Sequence, residues 1–185
     1  MSDITKKALE ASLKNVMLTK PVNKITISDI TKDCGVNRAT FYYHFKDIYD
    51  LIEWSLKEES RKAIAGSATY DTWQQGFLKI FHSLENNKPF ILNVYRNVSQ
   101  EQIIQYLYRS VYQVIKRVVE ECAIGMSVPE EDKKFIADFY KYAFVGIVLD
   151  WIRQDMKPSP ENIVARLSDL IDGDVTRMLE KYRKQ

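Results

Sequence analysis

Apolar residues recur along the chain at spacings of three and four, and no strand-length run alternates strictly between apolar and polar. This periodicity predicts an all-α fold of about nine helices. Ile4, Ala8, Leu9, Leu13, Val16 and Met17 form the apolar side of a first helix over 3–19, which Pro21 stops. Thr26, with Asp29 three positions later, reads as a capping box that opens a short second helix. Cys34-Gly35 ends it, because the glycine can take the left-handed conformation of a tight turn. Asn37 caps a third helix over 38–45, and Asp47 with Asp50 opens a fourth to about residue 65. Further helices are predicted over 71–85, 89–96, 99–123 and 129–156. Ser159-Pro160, an N-cap followed by Pro at the first helical position, opens a last helix to about residue 182. Gly66-Ser67-Ala68-Thr69 is the expected hinge, which divides the chain into residues 1–46, a connecting helix over 47–65, and a body over 66–185.

Composition narrows the class. A chain of 185 residues suits one domain or two small ones, and 45% hydrophobic with 28% charged residues is ordinary for a globular protein. The longest uncharged runs, such as Tyr142–Leu149, have eight residues, whereas a membrane-spanning helix needs about 20. No membrane partner is expected. The acidic Asp3 and the lack of an apolar leader argue against a secretory signal, and Cys34 and Cys122 stand 88 positions apart, which excludes a Cys-x-x-Cys motif. A reducing, cytoplasmic setting follows as the expectation. The chain has no Gly-x-Gly-x-x-Gly, phosphate loop or Gly-x-Ser-x-Gly, and only His44 and His82 for proton transfer. No enzyme, cofactor or metal site is expected.

The net charge of +2 hides an asymmetry. Residues 1–46 hold eight Lys/Arg against four acids, and residues 47–185 hold 19 against 21. A basic N-terminal quarter on a slightly acidic body points to one end that meets a polyanion.

Residues 26–45 place helix, glycine turn and helix in that basic quarter. Phe41 and Phe45 are four apart and face the preceding helices. Arg38, Ala39, Thr40, Tyr42, Tyr43 and His44 are left on the outer side. A short helix of this kind suits a DNA major groove: Arg38 can donate two bonds to guanine O6 and N7, the Thr40 methyl can pack on thymine, and hydroxyls and Lys46 can reach phosphates.

The run Thr40-Phe41-Tyr42-Tyr43-His44-Phe45-Lys46, with the turn Cys34-Gly35-Val36, resembles the helix-turn-helix of TetR/AcrR-type transcriptional regulators. The resemblance implies double-stranded DNA as partner, with contacts from Thr26, Ser28, Asn37, Arg38, Ala39, Thr40, Tyr42, Tyr43, His44 and Lys46. Ile48 stands where the family often has a second phosphate-binding Lys. Fewer phosphate contacts are expected, and a protein-interaction module that no longer reads DNA stays open as an alternative. The body is similar to the branch that regulates dihydroxyacetone kinase operons, through Tyr70-Asp71-x-Trp73 and the helix order. The resemblance implies that members of that branch can activate rather than repress, so the sign of regulation stays open. It makes genes of dihydroxyacetone or glycerol metabolism the expected targets, with an efflux or stress operon as the alternative. The resemblance also implies an effector pocket for a small molecule, or a protein co-regulator, in the body.

The last two predicted helices are apolar over more than one face and need burial on two sides. Phe139, Ala143, Gly146 and Ile147 on one, and Leu167, Leu170, Ile171, Val175 and Met178 on the other, are expected to form a homodimer interface of two helices per subunit. Such a two-fold axis would pair two recognition helices with two palindromic half-sites.

Overall fold

A computed structural model describes residues 2–64, 72–171 and 173–183, with the side chains of residues 2, 60, 62–64, 100, 102, 106 and 110 excepted. The expected hinge at 66–69, the domain boundary at 65–66, the Tyr70-Asp71 half of the motif and the Tyr106 ring therefore lie outside the described residues.

The described residues form ten α-helices: α1 (Ser2–Val16), α2 (Ile27–Asp33), α3 (Arg38–His44), α4 (Ile48–Ile64), α5 (Trp73–Asn86), α6 (Lys88–Asn97), α7 (Gln100–Cys122), α8 (Glu130–Arg153), α9 (Pro160–Ile171) and α10 (Asp174–Tyr182), with a 3-10 turn at Val22–Lys24. The all-α pattern stands. The single last helix expected over 159–182 is two, because Gly173 takes φ +71° and ends the ladder between α9 and α10. Among the described residues no helix is long and apolar enough to cross a membrane.

Residues 1–59 and 87–103 make one compact unit, and 60–86 with 104–185 make another. In the first, α1, α2 and α3 pack on one another around Leu9, Leu13, Ile30, Phe41 and Leu51, all fully buried. Polar groups taken inside are paired. The Ser12 hydroxyl donates to the Ile30 carbonyl at 2.7 Å, and the Ser55 hydroxyl on α4 donates to Glu10 Oε1 on α1 at 2.6 Å. Lys14 Nζ balances the Glu10 charge at 2.9 Å and reaches Glu59 at 3.3 Å.

Helix α6 belongs to this unit through buried Phe90, Ile91 and Val94, through Lys14 Nζ 5.5 Å from the Phe90 ring centre, and through one polar side chain. Asn93 accepts the Val22 N–H at 2.9 Å and donates to the carbonyls of Met17 at 2.9 Å and Lys20 at 2.8 Å. One carboxamide thus satisfies three main-chain groups of the turn between α1 and α2, and only one amide orientation does so. Asn93→Leu leaves those groups without their partners. It is expected to lower the stability of the first unit by about 1–3 kcal/mol, measured by chemical denaturation.

In the second unit α5 packs on α9, and α10 on α8 and α9. Its core is a series of edge-to-face rings: Trp73 on Phe144, Phe144 on Phe77 (4.5 Å between centroids), Phe77 on Phe81 and Phe81 on Trp151. Trp151 is fully buried, and its indole N–H donates to the Pro158 carbonyl at 2.8 Å. Between α5, α7, α8 and the facing residues of α9 and α10 lies a cavity of about 50 Å³.

Candidate nucleic-acid interface

The reading head is built from local caps. The Thr26 hydroxyl accepts the Asp29 N–H at 3.2 Å and donates to Asp29 Oδ2, which also takes the Thr26 N–H at 2.9 Å. This completes the expected capping box of α2. Lys20 holds the other Asp29 oxygen at 2.8 Å. Lys20 first, then Thr26, keeps the Asp29 carboxyl far below the usual carboxylate range. Gly35 takes φ +71° in the turn, where a Cβ would be strained. Asn37 then caps α3, its Oδ1 accepting the Thr40 N–H at 2.7 Å and the Thr40 hydroxyl at 3.0 Å.

The two sides of α3 differ sharply. Phe41 is 0% exposed, and Phe45 just after the helix is 3% exposed; Tyr42 and Tyr43 on the other side are 52% and 82% exposed. Phe45 meets Trp54 of α4 edge-to-face at 5.7 Å, and Lys6 Nζ lies 5.8 Å from both ring centres. Thr26, Asn37, Arg38, Ala39, Tyr42, Tyr43 and Lys46 are exposed, while Ser28, Thr40 and His44 are half-buried. The Arg38 guanidinium sits 3.5 Å from the Tyr42 hydroxyl, and Tyr43 stacks edge-on to His44 at 4.9 Å. Thr26, Asn37 and Thr40 spend hydrogen-bonding capacity on caps, so part of their task is to hold the helices that present the others.

The charge of this unit is selectively spent. Lys14 and Lys20 are matched by acids of their own unit. Lys7, Lys24, Lys32 and Lys46 are exposed and form no ion pair among the described residues. A surface that keeps its cations unmatched beside an exposed aromatic and guanidinium face is suited to a polyanion. Lys20, one of the eight bases of residues 1–46, proves to be a brace for Asp29. Asn93 carried no local signal at all.

The residues expected at a dimer interface separate in the same way. Phe139, Ala143, Gly146 and Leu170 are exposed, joined by Phe135 and Tyr142, and Ile147, Ile171 and Met178 are half-buried. Leu167 and Val175 are buried inside their own unit, and Ile171 and Val175 line the cavity. With the turn at Gly173 between them, α9 packs on α5 and α10 on α8 of the same unit. Among the described residues no group of three or more His, Cys, Asp or Glu is placed to hold a metal ion.

Residues 11–53 match the family described as bacterial regulatory proteins, tetR family, and residues 71–173, more than half of the chain, match its transcriptional regulator C-terminal region. The chain belongs to the TetR family of transcriptional regulators. These are DNA-binding proteins and not enzymes. This TetR-family regulator is 27% identical over 94 residues, 51% of its length, to the HTH-type dhaKLM operon transcriptional activator DhaS of Lactococcus lactis subsp. lactis. The chain spans about half the length of the curated relatives it matches. Its fold is that of the solved dihydroxyacetone kinase operon activator DhaS (TM-score 0.73, 20% identity, 98% of this chain and 99% of that one). It is also that of NalD, the secondary repressor of the MexAB-OprM multidrug efflux pump in Pseudomonas aeruginosa (TM-score 0.62, 18% identity, 97% and 98%).

The Asp29 carboxyl gives the reading head an acid limit. Its folded pKa lies below the unfolded value, so its contribution is complete above about pH 3.9 and is lost as the pH falls through the folded value. For this regulator, the stability difference between wild type and Asp29→Asn is expected to be constant from neutral pH down to about pH 5. It should shrink below about pH 4, as read from denaturant midpoints by circular dichroism.

Proposed function

We propose that this regulator works as a homodimer that reads an inverted-repeat operator, with one α3 in each of two major grooves, under control of a small molecule or a protein co-regulator. Residues 1–46 supply the reading head, braced by 87–103, while 47–65 connect it and the rest of 66–185 senses and dimerises. The observation that carries the reading is the exposure of Arg38, Ala39, Tyr42 and Tyr43 on a helix whose opposite side is buried to the limit. A side chain fixed from behind and open in front can approach base edges; Arg38 suits guanine, and Lys46 and the Thr26 end of α2 suit phosphates. Helices α4 and α7 each run from one unit into the other, so a change in the second unit has a covalent route to the spacing of the two heads. Given the relatives, genes of dihydroxyacetone or glycerol metabolism are the first targets to test, in either direction of regulation.

Selection of duplexes from a random pool at about 0.15 M salt, where non-specific binding is weak, is the test. An inverted repeat is expected to emerge, and Arg38→Ala or Tyr43→Ala to weaken binding roughly ten- to a hundredfold. Lys46→Ala is expected to reduce the slope of log affinity against log salt by about 1 at every sequence. A pool with no enriched sequence would overturn the reading.

Support for the dimer comes from α8 and α9. Phe135 and Phe139, four residues apart on α8, are 66% and 54% exposed, and Leu170 on α9 is 72% exposed, large apolar side chains that a second copy would cover. Gly146 lies in α8 with nothing within 4 Å of where a Cβ would sit, so the packing of its own subunit does not require a glycine. A mid-helix glycine costs about 0.5–1 kcal/mol relative to alanine, and close approach of a helix from a second copy accounts for it. Gly146→Ala is expected to raise the thermal stability of dilute monomer while weakening the dimer. Gly146→Glu is expected to leave monomer in sedimentation velocity at concentrations where the wild type is dimeric.

A further inference from the structure

We infer that Asn93 on α6 is a positioning residue for operator reading: through Lys20 and Asp29 it fixes the α2 end of the reading head to α6, and so sets the spacing between the two half-sites. The inference rests on the inverted-repeat reading above and adds to it what holds the two heads at one separation.

The path is continuous and runs within the first unit. The Asn93 carboxamide uses its full capacity. Its Oδ1 accepts the Val22 N–H at 2.9 Å and Asn97 Nδ2 at 3.2 Å, while Nδ2 donates to the carbonyls of Met17 at 2.9 Å and Lys20 at 2.8 Å. A flipped amide would set donors against donors and acceptors against acceptors, so its orientation is fixed. Lys20 carries the link onward. Its carbonyl is held by α6 and its ammonium by Asp29 Oδ1 at 2.8 Å, and the other Asp29 oxygen closes the capping box on Thr26 at the start of α2. Helix α2 in turn packs on α3.

Helix α6 is joined to α5 through Asn87 alone and to α7 through Val98 and Ser99, and α5 and most of α7 belong to the second unit. Whatever is bonded to α6 is therefore tied to the unit that carries the proposed dimer face. Helix α4 provides another tie, through Leu51, Ile52 and Ser55. One helix by itself leaves rotation about its own axis open, and a second attachment away from that axis removes it. The apolar contacts of α6 hold it close but have no direction; the hydrogen bonds of Asn93 fix its register. Base identity is read by α3, which is seated on Phe41 and Phe45, so cutting the path alters spacing and leaves the half-site sequence unchanged.

The test is duplex selection with the full-length chain, well below the Tm of each variant, on wild type, Asn93→Ala and Lys20→Met. The Lys20 side chain is 47% exposed, so Lys20→Met cuts the path where folding depends on it little. Wild type is expected to enrich one spacer length. Both variants are expected to enrich the same half-site over about two or three adjacent spacer lengths, and to bind the wild-type operator roughly tenfold more weakly. The double variant is expected to be no worse than either single one, since each cuts the same path. A purely structural role would lower Tm and leave the spacer as it was, so a wild-type spacer kept by either folded variant would overturn the inference. Hydrogen exchange on the free protein reads the path without DNA. The α2 amides are expected to exchange roughly tenfold faster in both variants while those of α4 are unchanged. An equal change in α2 and α4, or none, would also overturn it. An unenriched wild-type pool with the expected exchange pattern sinks the operator reading alone, and a single spacer that survives both variants sinks this inference alone.

Discussion

Helix α3 has seven residues, far fewer than the dozen or more at which an isolated helix becomes marginal in water. It exists because Phe41 is driven fully out of solvent onto α1 and α2 and because Asn37 caps its first turn. Burying one phenylalanine is worth about 1.5–3 kcal/mol, which is the scale needed to hold two turns of helix in place. Everything on the other side of the helix inherits its direction from that contact. Since Phe41 and Phe45 point inward, Arg38, Tyr42 and Tyr43 have nowhere to point but out. The exposed tyrosines are therefore a consequence of the same geometry that folds the unit, and an expensive one, because aromatic surface left in water gains nothing until a partner covers it.

The platform behind α3 is stiffened by polar links. Ser55 to Glu10, Ser12 to Ile30 and Lys20 to Asp29 each join one helix to another element, and in the interior such bonds count chiefly through the cost of leaving them unmade. Asn93 extends this network to α6, so the head is not simply the N-terminal helices. It includes a helix from beyond α5, held at the turn that leads into α2. A short recognition helix on a rigid base and a body whose aromatic core encloses a cavity are thus parts of one chain with several covalent crossings between them.

The local devices were legible because each is written in adjacent residues. Thr26 with Asp29, Gly35, Asn37 with Thr40, and Asp47 with Asp50 all appear as caps or turns where the pattern places them. The all-α class followed from periodicity for the same reason. Long-range polar pairs have no such signature: nothing around Asn93 distinguishes it from a surface asparagine, and its partners are more than 70 positions away. The break at Gly173 was hidden because the apolar stripe Leu170, Ile171, Val175, Met178 runs through it at helical spacing, and a helix can tolerate an isolated glycine in such a stripe. The same break turned Leu167 and Val175 inward, where periodicity alone could say only that they are buried, not by whom.

In the proposed complex the face of α3 set by Phe41 and Phe45 enters the major groove, twice, on one side of the duplex. Protection of guanine N7 from methylation on a selected operator reads this directly, because N7 lies in the major groove. Two protected clusters are expected on the same helical face, centred a whole number of turns apart at about 10–10.5 base pairs per turn, each lost with Arg38→Ala. Tight, sequence-selective binding with no N7 protection, or with a single cluster unaffected by Arg38→Ala, would contradict it.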